Sequence, residues 1–337
     1  MTATDLPAKP YPTASSDASI NNPSACDSQL DDSFAAIDWQ APWLCHLNQL
    51  GYISKAITKL SGLKNEPAQT DKLENTPDII AKVLNTALQQ QADDLLQPLP
   101  QTKPALNNKA QTLQFVSQDA LPEGEAYESF IGTTGNIPTR NNLHDLFNGS
   151  IWLTFPKTKA LLNYYHMLEI NQQGIGASRG RVRDTITVFD ENGAILVTAD
   201  ASIGKALVDF DWQASLVAPR DKWDKPKQSN NHSQAAVYIF GHALLEKLLQ
   251  PRKALCAHSI VINVTQDFFA LSLSERISHL DKRAADYMEA LLSQLDVTPR
   301  KLSPLPILGV PHYWAENANS SFYDDSQVFR SGRRRQK

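Results

Sequence analysis

"RVRDTITVFDENGAILVTAD", residues 181–200, decides how the rest of the chain is read. Ile186 and Val188 alternate with Thr185 and Thr187, and Asp190-Glu191-Asn192-Gly193 has the composition of a tight turn. The pattern predicts a β-hairpin over about 182–198. Upstream, "IPTRNNLHDLFNGSIWLTFPKTKALLNYYHMLE" (137–169) reads as two helices with a restart near Pro156. Downstream, a helix is expected around 233–249 and a strand at "AHSIVINVT" (257–265). "SLSERISHLDKRAADYMEALLSQL" follows as a helix with Ser272 and Glu275 in capping-box register. "LQFVSQ" near Leu113 reads as a short strand. The expected class is α+β, mostly helical with a small, mainly antiparallel sheet.

The chain ends frame this body. Residues 1–33 are rich in Pro, Ser, Thr, Asn and Asp and read as a disordered tail, and 331–337 as a basic disordered one. A single globular domain is expected over 34–330: a helical N-terminal part (34–112) and a main body (113–330). Trp39 and Trp43 anchor the first part, where Thr76, Pro77 and Asp78 carry helix-start signals. The 337 residues are 42% hydrophobic and 20% charged, with a formal net charge of −4. Such a chain buries a core and does not bind nucleic acid through global charge. Cys26, Cys45 and Cys256 lie far apart with no CxxC, which fits a reducing compartment. The N-terminus has no apolar leader core, and no run approaches the roughly 18 apolar residues of a membrane helix. A cytoplasmic protein without a membrane partner is expected.

Chemistry concentrates in four places. If Asn142 caps the helix at 143, Asp145 is its third residue, and Asn141, His144, Asp145, Asn148 and Trp152 share a face opposite Leu143, Leu146, Phe147 and Ile151. That face is either a cap knitted to nearby loops or a ligand-facing surface assisted by Arg140. On the expected strand, Arg179, Arg181 and Arg183 project to one side as an anion-binding ladder, or pair with surface carboxylates, while Asp184 falls on the apolar side. His242 and Glu246 stand at i, i+4, a spacing that holds a metal or lets a carboxylate orient an imidazole. In "SFYDDSQVFR", Asp324 either joins a site or belongs to a docking peptide pinned by aromatics. Walker, GxGxxG, GxSxG and HExxH motifs are missing.

Together these residues point to an enzyme for an anionic, possibly phosphorylated, small molecule. His144 would be its acid–base group, with Asp145 or another carboxylate, such as Asp324, supporting it. No cofactor is required by the sequence, and a divalent metal is optional. The alternatives are a binding module for RNA or an acidic partner, and a scaffold. "IPTRNNLHDLFNGSIWLTFPKTKALLNYYH", "RVRDTITVFDENGA", "FGHALLEK", "PLPILGVPHYW" and "FYDDSQVFR", in this order, resemble an uncharacterised bacterial family, domain of unknown function 3025, over about Ile37 to Arg330. The resemblance implies a shared fold and bacterial origin and assigns no activity or site residue. His312 stands where it leads one to expect Gly, and Ser331 where Pro is more usual.

Overall fold

The computed structural model describes residues 32–62, 78–95, 113–173, 180–226 and 232–332. The tail at 1–31, the expected helix start at Thr76 and Pro77, Arg179, and the basic end at 333–337 lie outside the described residues.

The expected hairpin is not formed. Residues Arg181–Asn192 are a helix (α6), and only Gly193–Thr198 is a strand (β3). Thr185, Ile186 and Phe189 are its buried residues and Val182 packs partly against the core, a 3.6-residue stripe that overrides the local alternation. Asp184 sits in the first turn, where the helix dipole favours an anion. "DENG" is therefore a helix end running into a strand. Gly193 is needed there because a Cβ would lie 2.2 Å from the Phe189 carbonyl oxygen.

A second correction concerns 233–249, where the run "AAVYI" forms strand β4 (Ala235–Ile239) before a short helix, α8 (His242–Lys247). β3 pairs antiparallel with β4, Ala194 opposite Ile239, and parallel with β5 (Cys256–Asn263), which pairs antiparallel with β6 (Ser303–Pro306). The four-stranded order is β4-β3-β5-β6. A separate two-stranded parallel sheet joins β1 (Gln114–Ser117) to β2 (Asn136–Thr139), with helix α3 (Tyr127–Thr134) between them in sequence.

Around the sheets lie α1 (Gly51–Gly62), α2 (Ile79–Leu95), α4 (Leu143–Thr154), α5 (Pro156–Gln173), α7 (Ala201–Val208) and α9 (Leu273–Leu292). The α+β class therefore holds. α4 and α5 break at Pro156 as expected, and the Ser272–Glu275 capping box is present. A continuous buried cluster runs from Leu44 and Ile80 through Phe155 and Ile195 to Leu280. At His312 the backbone takes φ 69°, in the left-handed region that favours glycine.

Candidate active site

Five helices meet around a polar seam. α4 starts as its sequence dictates: the Asn142 side chain accepts from the Asp145 backbone N–H at 2.8 Å. Asp145 does not turn to His144. Its carboxylate accepts from the Arg140 backbone N–H at 2.7 Å and from the Arg140 guanidinium at 3.0 and 3.1 Å. That bidentate pair holds the Arg140 guanidinium above its ordinary pKa range. Asn141 reaches away, accepting from the Ile80 backbone N–H at the start of α2.

His144 and Asn148, one turn apart on α4, face the seam. His144 Nδ1 donates to Glu246 Oε2 on α8 at 3.1 Å, and His144 Nε2 lies 3.1 Å from His242 Nε2. The two rings meet edge to face with centroids 4.5 Å apart. His242 Nδ1 faces Asp190 Oδ2, on α6, at 3.7 Å. Burial holds the His242 imidazole down at about 4, so the ring is neutral near pH 7. With the His144 proton on Nδ1 toward Glu246, its Nε2 accepts, and the neutral His242 ring donates its single proton from Nε2 to it, leaving His242 Nδ1 bare. The line Glu246–His144–His242–Asp190 thus carries one proton on each ring.

A second line leaves Asp190. Lys159 Nζ, buried on α5, donates to Asp190 Oδ1 at 2.6 Å and to Asn148 Oδ1 at 2.9 Å. Burial raises the Asp190 carboxyl, but Lys159 and His242 outweigh it and hold it below the usual range. An ammonium only donates, so Asn148 must turn its amide oxygen to Lys159 and its Nδ2 to the Tyr127 hydroxyl, 3.0 Å away. That hydroxyl therefore accepts, and its own proton points elsewhere. Burial, with Asp145 nearby, pushes the Tyr127 phenol up, so it keeps that proton. Trp152 lies beneath, with Lys159 Nζ 5.4 Å from its ring centre. The ring nitrogens His166 Nδ1 and His242 Nδ1, and Arg183 Nε, are buried without a hydrogen-bond partner.

The other expected site residues are dispersed. α6 being a helix, Arg181 and Arg183 do not form a ladder: Arg181 is exposed near Asp296, while Arg183 is half-buried near His166. Asp184 lies at the same N-terminal end of α6, roughly 9 Å along the axis from Asp190 at 1.5 Å per residue. Asp324 is exposed in the C-terminal segment, where Tyr323 donates to the Gly309 carbonyl and Phe322 packs on Phe329. Its neighbour Asp325 pairs with Lys253. His242 and Glu246 share α8 but both meet His144 and not a common point, and among the described residues no group of three or more His, Cys, Asp or Glu could hold a metal ion.

Tyr127, Lys159 and Asp190 were not singled out from the sequence. The available signal was the spacing of Lys159 and His166 at i, i+7 on one face of the expected helix.

Fold and site define a helix-rich α+β protein with a polar seam of imidazoles, carboxylates and one buried lysine where five helices meet. The chain belongs to the family described as Protein of unknown function (DUF3025), whose model matches residues 113–333. Every network residue lies within that span, whereas the stretch from Ile37 to 112 lies outside it. No curated protein and no solved structure matches the chain.

Proposed function

We propose that the protein is an acid–base enzyme that moves a proton to or from a small substrate whose oxygen gains negative charge during reaction. The observation that carries this is the carboxylate–imidazole–imidazole–carboxylate line of Glu246, His144, His242 and Asp190. His144 is 41% exposed at its side chain and stands at the mouth, while His242 is 7% exposed behind it. His144 is the residue that exchanges the proton with substrate, at Nδ1 once the half-exposed Glu246 carboxylate yields that position. His242 holds the ring from behind by donating its Nε2–H to His144 Nε2. Tyr127 of α3, held by Asn148 one turn from His144 on α4, directs its hydroxyl proton at the developing oxyanion. Lys159 is neutralised by Asp190 and supplies no free positive charge, so the small molecule proposed as substrate is one whose negative charge develops in the reaction. A cytoplasmic setting completes this reading; among the described residues no helix is long and apolar enough to cross a membrane.

The test combines turnover with a substrate-independent readout. Purified protein is assayed against panels of carboxylic and phosphoric esters, lactones and 2-oxo acids, as wild type, His144→Gln and Tyr127→Phe. We expect a hit that each substitution slows by about 100-fold or more, at unchanged melting temperature. The imidazole–imidazole hydrogen bond should also give a strongly downfield N–H resonance that His144→Gln abolishes. Full turnover in His144→Gln would end the proposal. A second reading, a polar core that only ties five helices together, is favoured by the Asn141 and Asp145 contacts; it requires these substitutions to lower the melting temperature instead.

A further inference from the structure

A cavity of about 310 Å³ lies away from the seam, at the convergence of the segments around His46, Trp223, β4, Phe269–Arg276 and Tyr313. Its volume is at the lower end of the range for small-molecule sites. Four aromatic residues wall it: Trp223, Tyr238, Phe269 and Tyr313, all buried. Two have their polar atoms tied off on backbone: Trp223 Nε1 donates to the Ser215 carbonyl at 3.1 Å, and the Tyr313 hydroxyl to the Val237 carbonyl at 2.8 Å. Those rings are held rigid and meet the cavity as apolar surface.

Charge inside is balanced. Arg276, 5% exposed, donates to the Leu271 carbonyl at 3.1 Å, to the Phe269 carbonyl, and to Asp224 Oδ2 at 3.2 Å. A guanidinium has no acceptor, so where it meets the Tyr238 hydroxyl that oxygen accepts and keeps its own proton to give. Burial drives this phenol up to about 12, so it stays protonated. Beside it, His46 lies edge-on to the Tyr238 ring with centroids 6.1 Å apart. His46 donates Nε2–H to the Ile239 carbonyl at 2.8 Å, and burial holds the ring neutral, at about 4. Its Nδ1 is consequently a bare acceptor. The cavity thus has aromatic walls, no net charge, and a donor and an acceptor on neighbouring rings.

We infer that this cavity binds a neutral, planar lactam heterocycle, with its ring against the aromatic walls, its carbonyl taking the Tyr238 proton and its N–H given to His46 Nδ1. A charged ring is disfavoured, because Arg276 and Asp224 already neutralise each other. An aliphatic ligand would leave the donor and the acceptor unmet.

The site is independent of the proton-transfer network, and its test needs no turnover. The full chain is titrated with hypoxanthine and uracil, and with indole and benzoate for comparison, by tryptophan fluorescence and saturation-transfer NMR. Saturable binding of a lactam, at least tenfold tighter than indole or benzoate, is expected. Tyr238→Phe should weaken it about tenfold, and Ala236→Leu, which fills the cavity from β4, should abolish it. No lactam binding, equal binding of indole or benzoate, or undiminished binding by Tyr238→Phe would each overturn the inference. Circular dichroism of both variants confirms that the fold is intact.

Discussion

His312 occupies the left-handed region at φ 69°, and its Nε2 is buried without a hydrogen-bond partner. A side chain in that conformation costs about 1–2 kcal/mol that glycine does not incur. His312→Gly, which also restores the residue the family resemblance leads one to expect, should therefore stabilise the protein by about 1 kcal/mol after the larger backbone entropy of glycine in the unfolded chain is offset. Urea denaturation measures this, and a lowered midpoint would contradict it. Asn148 offers a complementary substitution. Its amide accepts from Lys159 and donates to Tyr127. Asn148→Asp keeps the shape but makes the group acceptor-only, so Tyr127 must donate to it and loses its substrate-facing proton. The expected result is a loss of about 100-fold in kcat, close to that of Tyr127→Phe, with the two effects failing to add in the double variant.

Asp281 of α9 is 3% exposed and caps the start of α5 from outside, accepting from the Lys157 and Thr158 backbone N–H groups at 2.9 Å each and from the Thr158 hydroxyl. Burial raises its carboxyl above the usual range. Asp281→Ala leaves the buried Thr158 amide and the half-buried Lys157 amide unmet and should cost about 3 kcal/mol, read as a shift in denaturation midpoint. Such a cap could not be read from either helix alone, since 124 positions separate Lys157 from Asp281. The elements themselves were partly legible. Pro156, the Ser272–Glu275 box and the Asn142 cap act locally, so sequence alone placed them. The stretch 181–192 carried two periods at once: Ile186/Val188 alternation and the Val182–Ile186–Phe189 stripe. Packing of the stripe against the core decided between them, and a local pattern holds no such information. The seam divides in the same way. His144, His242 and Glu246 stood out by type and spacing, whereas the partnership of His144 with Glu246 rather than Asp145 arises only where α4 meets α8.

Across the molecule, three imidazoles are buried among the described residues, His46, His166 and His242, and burial disfavours the charged form of each. His46 is 4% exposed beneath β4 and His242 is 5% exposed in the seam, each held at about 4 against about 6.5 in a free chain. The unfolded state then binds protons as pH falls through about 6.5, while the folded state resists until about 4. Between those values the unfolded chain carries more protons, so stability must fall as pH falls and stay level above that window. Each ring contributes up to about 3 kcal/mol of this loss, a large share of a marginal total of about 5–15 kcal/mol. His46 and His242 separate by substitution. His46→Gln keeps a donor for the Ile239 carbonyl but cannot titrate, so it should remove up to about 3 kcal/mol of the loss between pH 6.5 and 4 without touching proton transfer. His242→Gln should remove a similar share and slow turnover as well. The check is chemical denaturation at half-unit pH steps: a wild-type curve flat through this window, or a His46→Gln curve as steep as wild type, would show that burial of these rings does not set the acid limit of the fold.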